Sequence, residues 1–171
     1  FKDKILNVTN NNLNFTFMGS IDERKGILDC LKALILCDFN YIFNICGEIN
    51  NTSIEQEFNN LIKSQREKVI NHGYITGQKK KNVLMNTDVL LLPSYGEGLP
   101  IVLLEAMASG ASIITTNVGA ISEIIGEDNG YIISPGEIEE LTKSIKTLNN
   151  DRNLLKQQIS FLDNLIEIFV N

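Results

Sequence analysis

The chain has 171 residues, of which 43% are hydrophobic and 21% are charged, as in an ordinary globular domain with a sizeable core. A formal net charge of −6 argues against a nucleic-acid-binding surface, although a local group of cations can still bind a single nucleotide. The single histidine argues against a histidine-based zinc site, and three cysteines without C-x-x-C spacing indicate buried thiols in a reducing compartment (Cys30, Cys37 and Cys46).

The first residues are polar and rich in asparagine, with no clear periodicity. We predict a linker remnant over residues 1–13 and one folded domain over residues 14–171. Because Phe1 is not a usual first residue, the sequence is expected to be a piece of a longer protein.

A glycine-containing loop lies between the first predicted strand (14–18) and an amphipathic helix (27–35). Such a loop before a helix start is a candidate phosphate cradle. It begins at Gly19 and carries two cations, Arg24 and Lys25. For Arg24, the competing interpretation is an exposed side chain on a solvated loop.

The middle of the chain alternates strands and helices. Residues 41–46 are predicted as a strand, 54–65 as an amphipathic helix, 69–70 as a short strand and 79–85 as a helix. The last of these begins with three lysines, at 79–81, which we interpret as a solvated face.

An apolar run at 89–92 predicts a buried strand, followed by a loop and then a helix that ends before Gly110. We place Pro100 at the first helical position, where its missing N–H costs nothing. In an open parallel sheet, ligands bind at the carboxyl ends of the strands, so this junction is the strongest candidate site.

Two carboxylates occupy the junction, Glu97 in the loop and Glu105 in the helix. Carboxylates accept hydrogen bonds, which suits the vicinal hydroxyls of sugars and riboses. The backbone N–H groups of Gly98, Leu99 and Ile101 attract anions instead, because they point out of a helix start. Together these groups suit a nucleotide-sugar.

The remaining elements are strands at 112–115 and 131–133 and helices at 138–148 and 151–170, the last with Asp151 as its N-cap and an apolar stripe to residue 169. The alternation predicts an α/β fold, a Rossmann-like open parallel sheet of about six strands with helices on both faces. The dinucleotide fingerprint G-x-G-x-x-G, the P-loop and Asp-x-Asp are absent from the sequence.

Residues 93–125, PSYGEGLPIVLLEAMASGASIITTNVGAISEII, resemble the donor-binding half of retaining glycosyltransferases of the GT-B type, the group 1 or family 4 set. Glu97 and Glu105 have that family's E-x7-E spacing, within P-S-x-x-E-G-x-P and E-A-M-A-x-G. The resemblance extends over residues 14–149, and it implies that the chain is one half of a GT-B fold.

The resemblance implies roles for particular residues. Lys25 and Glu97 are the candidate catalytic groups, Lys25 contacting the diphosphate and Glu97 the hexose, and Glu105 would hold the ribose. The loop after the third strand lies against the base in that family, so Tyr74 either stacks on the base or packs in the core, and His72 either flanks the base or is a surface histidine. The other donor-binding candidates are Gly19, Ser20, Arg24, Gly98, Leu99, Pro100 and Ile101.

The main departure from the family pattern is Ser20, which stands where G-R-x-x-x-x-K-G has arginine. A serine cannot neutralise a developing charge, and Arg24 is the candidate replacement. Ser20 therefore favours an alternative, a non-catalytic nucleotide- or sugar-binding module. A GT-B-like nucleotide-sugar epimerase or a glycan phosphorylase is a further alternative.

The implied function is binding of a UDP-, GDP- or ADP-sugar by a hexosyltransferase that needs no metal and no cofactor. The acceptor, a glycan or a lipid-linked sugar, would bind through an N-terminal domain that this sequence lacks, so the chain alone is expected to be inactive. The resemblance further implies bacterial polysaccharide synthesis, a cytoplasmic location and peripheral association of the full-length protein with the inner face of the membrane.

Overall fold

A computed structural model describes residues 12–170, with side chains described as far as residue 162. The linker predicted at 1–13 lies almost entirely outside the described residues, and so do the side chains at the end of the last predicted apolar stripe.

The fold is built on one six-stranded parallel sheet with the order β3-β2-β1-β4-β5-β6. This arrangement confirms the predicted Rossmann-like sheet. The strands are β1 (Leu13–Met18), β2 (Tyr41–Cys46), β3 (Val69–Gly73), β4 (Val89–Leu92), β5 (Ser112–Thr116) and β6 (Gly130–Ile133).

Helices cover both faces of the sheet. They are α1 (Ile27–Ile35), α2 (Glu55–Ser64), α3 (Gly77–Met85), α4 (Ile101–Ala108), α5 (Ile138–Asn150) and α6 (Arg152–Val170). Because crossovers between parallel strands are right-handed, α1 and α2 lie on one face and α3 and α4 on the other. The last two helices divide in the same way, since α5 packs on α1 and α6 on α4.

The core lies on both sides of the central strands. All four residues of β4 are buried, as expected for a strand covered on both faces. The largest fully buried side chains include four phenylalanines, Phe15, Phe17, Phe43 and Phe58. The three cysteines are free and buried, as the sequence predicts.

The helix ends follow local chemistry, with one correction. Pro100 has an extended backbone conformation, with ψ 119°, and is the N-cap of α4, not its first helical residue as predicted. Its carbonyl accepts a hydrogen bond from the N–H of Leu103 at 3.0 Å, in the first turn of the helix. Gly110 follows α4 in the left-handed conformation, φ 67°, as predicted. The Asp151 carboxylate accepts bonds from the N–H groups of Asn153 and Leu154, which confirms the predicted N-cap of α6.

Strands β1 and β4 are neighbours, with Phe15 opposite Val89, although α1, β2, α2, β3 and α3 lie between them along the chain. The connections leave β1 and β4 in opposite directions along the sheet, so a crevice opens at their carboxyl ends. None of the helices in the described part of the chain combines the length and the apolar character needed to span a bilayer.

Candidate functional site

An open cleft of about 1250 Å³ lies at the carboxyl ends of β1, β2 and β3 and against α4. Its walls come from the loops after β1, β2 and β3 and from the helices α3 and α4. The structure brings eight of the predicted site residues into this lining: Gly19, Ser20, Arg24, Lys25, Tyr74, Pro100, Ile101 and Glu105.

The loop after β1 is ordered by Asp22, a residue that our sequence analysis did not single out. Asp22 is the N-cap of a short 3-10 turn at Glu23–Lys25, and its carboxylate accepts a bond from the Lys25 N–H at 3.1 Å. The Ser20 hydroxyl donates to the other oxygen of Asp22 at 2.6 Å. The serine found in place of the expected arginine therefore supports the cap of this turn.

The two cations of this loop differ in their surroundings. Lys25 donates to Glu97 Oε1 at 2.5 Å, and its side chain is 17% exposed. The Arg24 side chain is exposed in the cleft, and no described residue pairs with its guanidinium. Arg24 is thus the cation of this loop that is available to an anionic ligand.

Glu97 lies beside the cleft and not in its lining, because its carboxylate turns inward. The side chain is only 7% exposed and accepts bonds from Lys25 and from the Ser94 hydroxyl, the latter at 2.8 Å. Gly98 and Leu99 also lie outside the lining. Among the described residues, nothing accepts from the N–H groups of Gly98, Leu99 and Ile101, so the backbone donors predicted for an anion are unoccupied by protein.

Glu105 stands in the wall formed by α4 and pairs with a lysine of α3. Lys80 Nζ lies 2.6 Å from Glu105 Oε1, and the two side chains are 29% and 34% exposed. The interpretation of lysines 79–81 as a solvated face is therefore wrong for Lys80, since α4 packs beside α3 and offers it a carboxylate. The second oxygen, Glu105 Oε2, is buried and has no hydrogen-bond partner among the described residues.

The two aromatic candidates after β3 separate. Tyr74 is 69% exposed and lines the cleft, which excludes the core-packing interpretation. His72 lies outside the lining, and its Nε2 bonds to Asn44 Oδ1 on β2 at 2.8 Å. Burial, with the nearby charge of Lys79, lowers the pKa of His72. Of these two candidates, Tyr74 is the one placed to meet a flat ring in the cleft.

The loops after β1 and β4 are joined to each other by more than the Lys25–Glu97 pair. The Tyr95 N–H donates to the Arg24 carbonyl at 2.8 Å, and the Tyr95 hydroxyl donates to Asp29 Oδ2 on α1 at 2.8 Å. Burial and the bond to Asp29 raise the pKa of Tyr95 to about 12. At the base of the loop, Gly26 (φ 71°) lies so close to the Pro93 carbonyl that a Cβ would be 2.2 Å from the oxygen.

The cleft and the loop beside it therefore combine two lysine–glutamate pairs, one arginine without a partner among the described residues, an exposed tyrosine ring and backbone donors at a helix start. Such a set can bind hydroxyls through carboxylates and a diphosphate through cations and N–H groups. Among the residues whose side chains are described, no three His, Cys, Asp or Glu groups lie together in a way that would hold a metal ion.

Comparison with known proteins places this arrangement in a family. The model for glycosyl transferases group 1 matches residues 1–161. The chain belongs to this family, as the sequence resemblance predicts.

One relative is the capsular polysaccharide biosynthesis glycosyltransferase CapM of Staphylococcus aureus, 26% identical over 157 residues, which cover 90% of this chain and 41% of that protein. Among solved structures, the C-terminal domain of the group 1 glycosyl transferase LpcC of Francisella tularensis has a TM-score of 0.79 at 21% identity, covering 97% of this chain and 90% of that one. Anabaena HepE in complex with UDP-glucose has a TM-score of 0.81 at 22% identity, covering 94% and 45%. The chain spans less than half the length of CapM and HepE.

Proposed function

We propose that this chain is the donor-binding domain of a retaining glycosyltransferase that transfers a hexosyl unit from a UDP-, GDP- or ADP-sugar. The observation that carries the proposal is the position of Glu105: it stands in the wall of a cleft whose other walls carry Arg24, Lys25 and the exposed ring of Tyr74. A nucleotide-sugar needs these three kinds of partner, for its ribose, its diphosphate and its base.

In the proposed binding mode, the carboxylate of Glu105 accepts from the ribose hydroxyls and Tyr74 stacks on the base. Arg24, Lys25 and the N–H groups at the start of α4 bind the diphosphate. Its negative charge grows as the glycosidic bond breaks, so donors already in place stabilise the departing nucleotide. Glu97 orients Lys25 toward the diphosphate and lies next to the expected position of the hexose.

The acceptor side belongs to the whole protein. A glycan or lipid-linked acceptor would bind to an N-terminal domain, and the chain alone would bind donor weakly and catalyse little. CapM is named for capsular polysaccharide biosynthesis, which supports a comparable bacterial pathway for this protein. The cytoplasmic location and the membrane association of the full-length protein stay predictions.

Calorimetric titration with UDP, GDP and ADP tests the proposal. For the nucleotide that binds best, we expect Glu105→Gln to make the binding free energy less favourable by roughly 1.5–3 kcal/mol, the range for hydrogen bonds to a charged group. The matched control is Glu139→Gln, an exposed acid on α5 outside the cleft, which should bind as the wild type does. Equal affinities for wild type and Glu105→Gln would count against the assignment.

A second function has one observation in its favour, the use of Ser20 as a partner of Asp22 in place of the expected cation. A non-catalytic nucleotide- or sugar-binding module would tolerate that change. An assay of the full-length protein for donor hydrolysis separates the two functions, because a binding module would release no sugar from any donor that it binds.

A further inference from the structure

Lys80 is the one residue of its lysine run that is turned toward another helix. Lys79 and Lys81 are exposed, whereas Lys80 is half-buried and reaches Glu105 on α4. The two residues are 25 positions apart and belong to different helices, so this contact depends on how α3 packs beside α4. Both residues of the pair line the cleft, as Tyr74 does.

The pair leaves the Glu105 carboxylate held at one oxygen only. Oε1 accepts from Lys80, while Oε2 is shielded from water and has no donor among the described residues. A buried acceptor without a donor is unfavourable, and a hydroxyl that reached it would remove that cost. The terminal torsion of a glutamate is broad, so the position of the free oxygen depends on what holds the other one.

We propose that Lys80 is a positioning residue for the ribose of the donor: by binding Oε1 of Glu105, it holds the carboxylate in the orientation in which the ribose hydroxyls bind it. This inference rests on the proposed function, because it assigns Lys80 an action through Glu105. The lysine itself does not contact the nucleotide. Its effect should therefore disappear when the ligand has no ribose hydroxyls.

The test compares a nucleoside diphosphate with its 2′,3′-dideoxy form, using whichever of UDP and GDP binds the 171-residue chain more tightly. In the wild type the dideoxy form should bind more weakly. Lys80→Met should weaken binding of the ribonucleotide roughly two- to fivefold, the range expected for a partly exposed ion pair, and leave the dideoxy affinity unchanged. Lys80→Arg, which keeps a cation near Glu105, should recover part of the loss.

Lys79→Met is the matched control, because it removes the same charge from the same helix at a position outside the cleft lining. It should bind both ligands as the wild type does. A second measurement places Lys80→Met in the Glu105→Gln background, where it should have no further effect, since two residues that act as one unit are not additive.

The outcomes separate the two ideas. If the wild type binds both ligands equally, the proposed role of Glu105 falls, and the inference falls with it. A second outcome is that the wild type binds the ribonucleotide more tightly than the dideoxy form while Lys80→Met lowers the affinity for both ligands by the same factor. In that case Lys80 contacts the diphosphate or the base directly, and the inference alone is overturned. Unchanged affinity of Lys80→Met for the ribonucleotide also overturns it while leaving the proposed function intact.

Discussion

At the scale of single residues, the loop after β1 has a serine where the family pattern has an arginine, and a second cation in the loop has no protein partner among the described residues. The Ser20 hydroxyl binds Asp22, while the Arg24 guanidinium has no partner among the described residues. If Arg24 supplies the missing charge, Arg24→Gln should weaken UDP binding roughly two- to tenfold, a modest effect because solvent screens an exposed cation. Arg66→Gln, an exposed arginine outside the cleft, controls for net charge.

A cation placed at position 20 should compensate for the loss of Arg24. In the Arg24→Gln background, Ser20→Arg should tighten UDP binding by roughly 1.5–3 kcal/mol, the size of a hydrogen bond to a charged group. Ser20→Ala, which removes only the bond to Asp22, separates the lost cap contact from the added charge. Calorimetry that finds no gain from Ser20→Arg in either background would show that position 20 does not face the diphosphate.

Single residues also show where sequence reasoning ends. Glu105 and Lys25 could be selected because their residue types and spacings match a ligand's needs. Lys80 could not, because three consecutive lysines on a helix point in three directions, and only the neighbouring helix decides which one is paired. Asp22 had a readable signal, an aspartate directly before a short turn, which is a typical N-cap position.

At the scale of elements, the loop after β5 supports the loop that carries Glu97. Gly119 (φ 59°) lies against that loop so closely that a Cβ would be 2.3 Å from the Glu97 carbonyl oxygen and 2.4 Å from that of Gly98. Because both contacts are to backbone, Gly119→Ala must displace the Glu97 loop. We expect it to weaken UDP binding and to lower the free energy of unfolding.

Gly73 provides the comparison, since it also has positive φ, 65°, but nothing lies within 4 Å of an added Cβ. Gly73→Ala should show only the strain of the left-handed conformation, and Gly119→Ala should cost roughly 1–3 kcal/mol more, as is usual for overpacking. Urea unfolding monitored by circular dichroism measures both. Equal losses of stability would mean that the two loops are not in contact in solution.

Most element types could be predicted, and the misses have physical causes. The sequence predicts the third strand at 69–70, but the strand extends to Gly73, because Asn71 pairs with Ile45 on β2 and the pairing continues through polar residues that carry no strand pattern. Helix α3 begins two residues earlier than predicted, at Gly77, a residue of low helix propensity. In both places neighbouring structure overrides the local preference.

At the scale of the whole molecule, the buried core should protect all three thiols. Burial raises the pKa of Cys37 to about 11 and that of Cys46 to about 12, and it also raises the pKa of Cys30. The thiolate is the reactive form, so at pH 8 the native chain should react very slowly with a thiol reagent such as DTNB. In denaturant, all three cysteines of the same chain should react with DTNB promptly.

The rate of cysteine labelling can be compared with the rate at which the domain unfolds. If labelling requires global opening, the rate should follow the stability of the domain and rise with urea below the unfolding transition. Fast labelling of one thiol in the native state would place that cysteine at an accessible surface, and Cys46, which borders the cleft, is the position to examine first.

The overall architecture followed from the alternation of elements, because βα repeats leave few ways to cover a parallel sheet on both faces. The contact between the loops after β1 and β4 could not be predicted in this way. Lys25 and Glu97 are 72 positions apart, and nothing in either segment indicates that the lysine and the acid bind each other. Such pairs depend on strand order, which the sequence leaves open until the fold is complete.

That joining has a practical consequence for anyone who wishes to change which sugar is used. The segment beside the expected hexose is tied through Lys25 and Tyr95 to the segment expected to bind the pyrophosphate. A substitution that reshapes one end of the donor site will disturb the other, so selections for new sugars should recover paired changes in both segments more often than single ones.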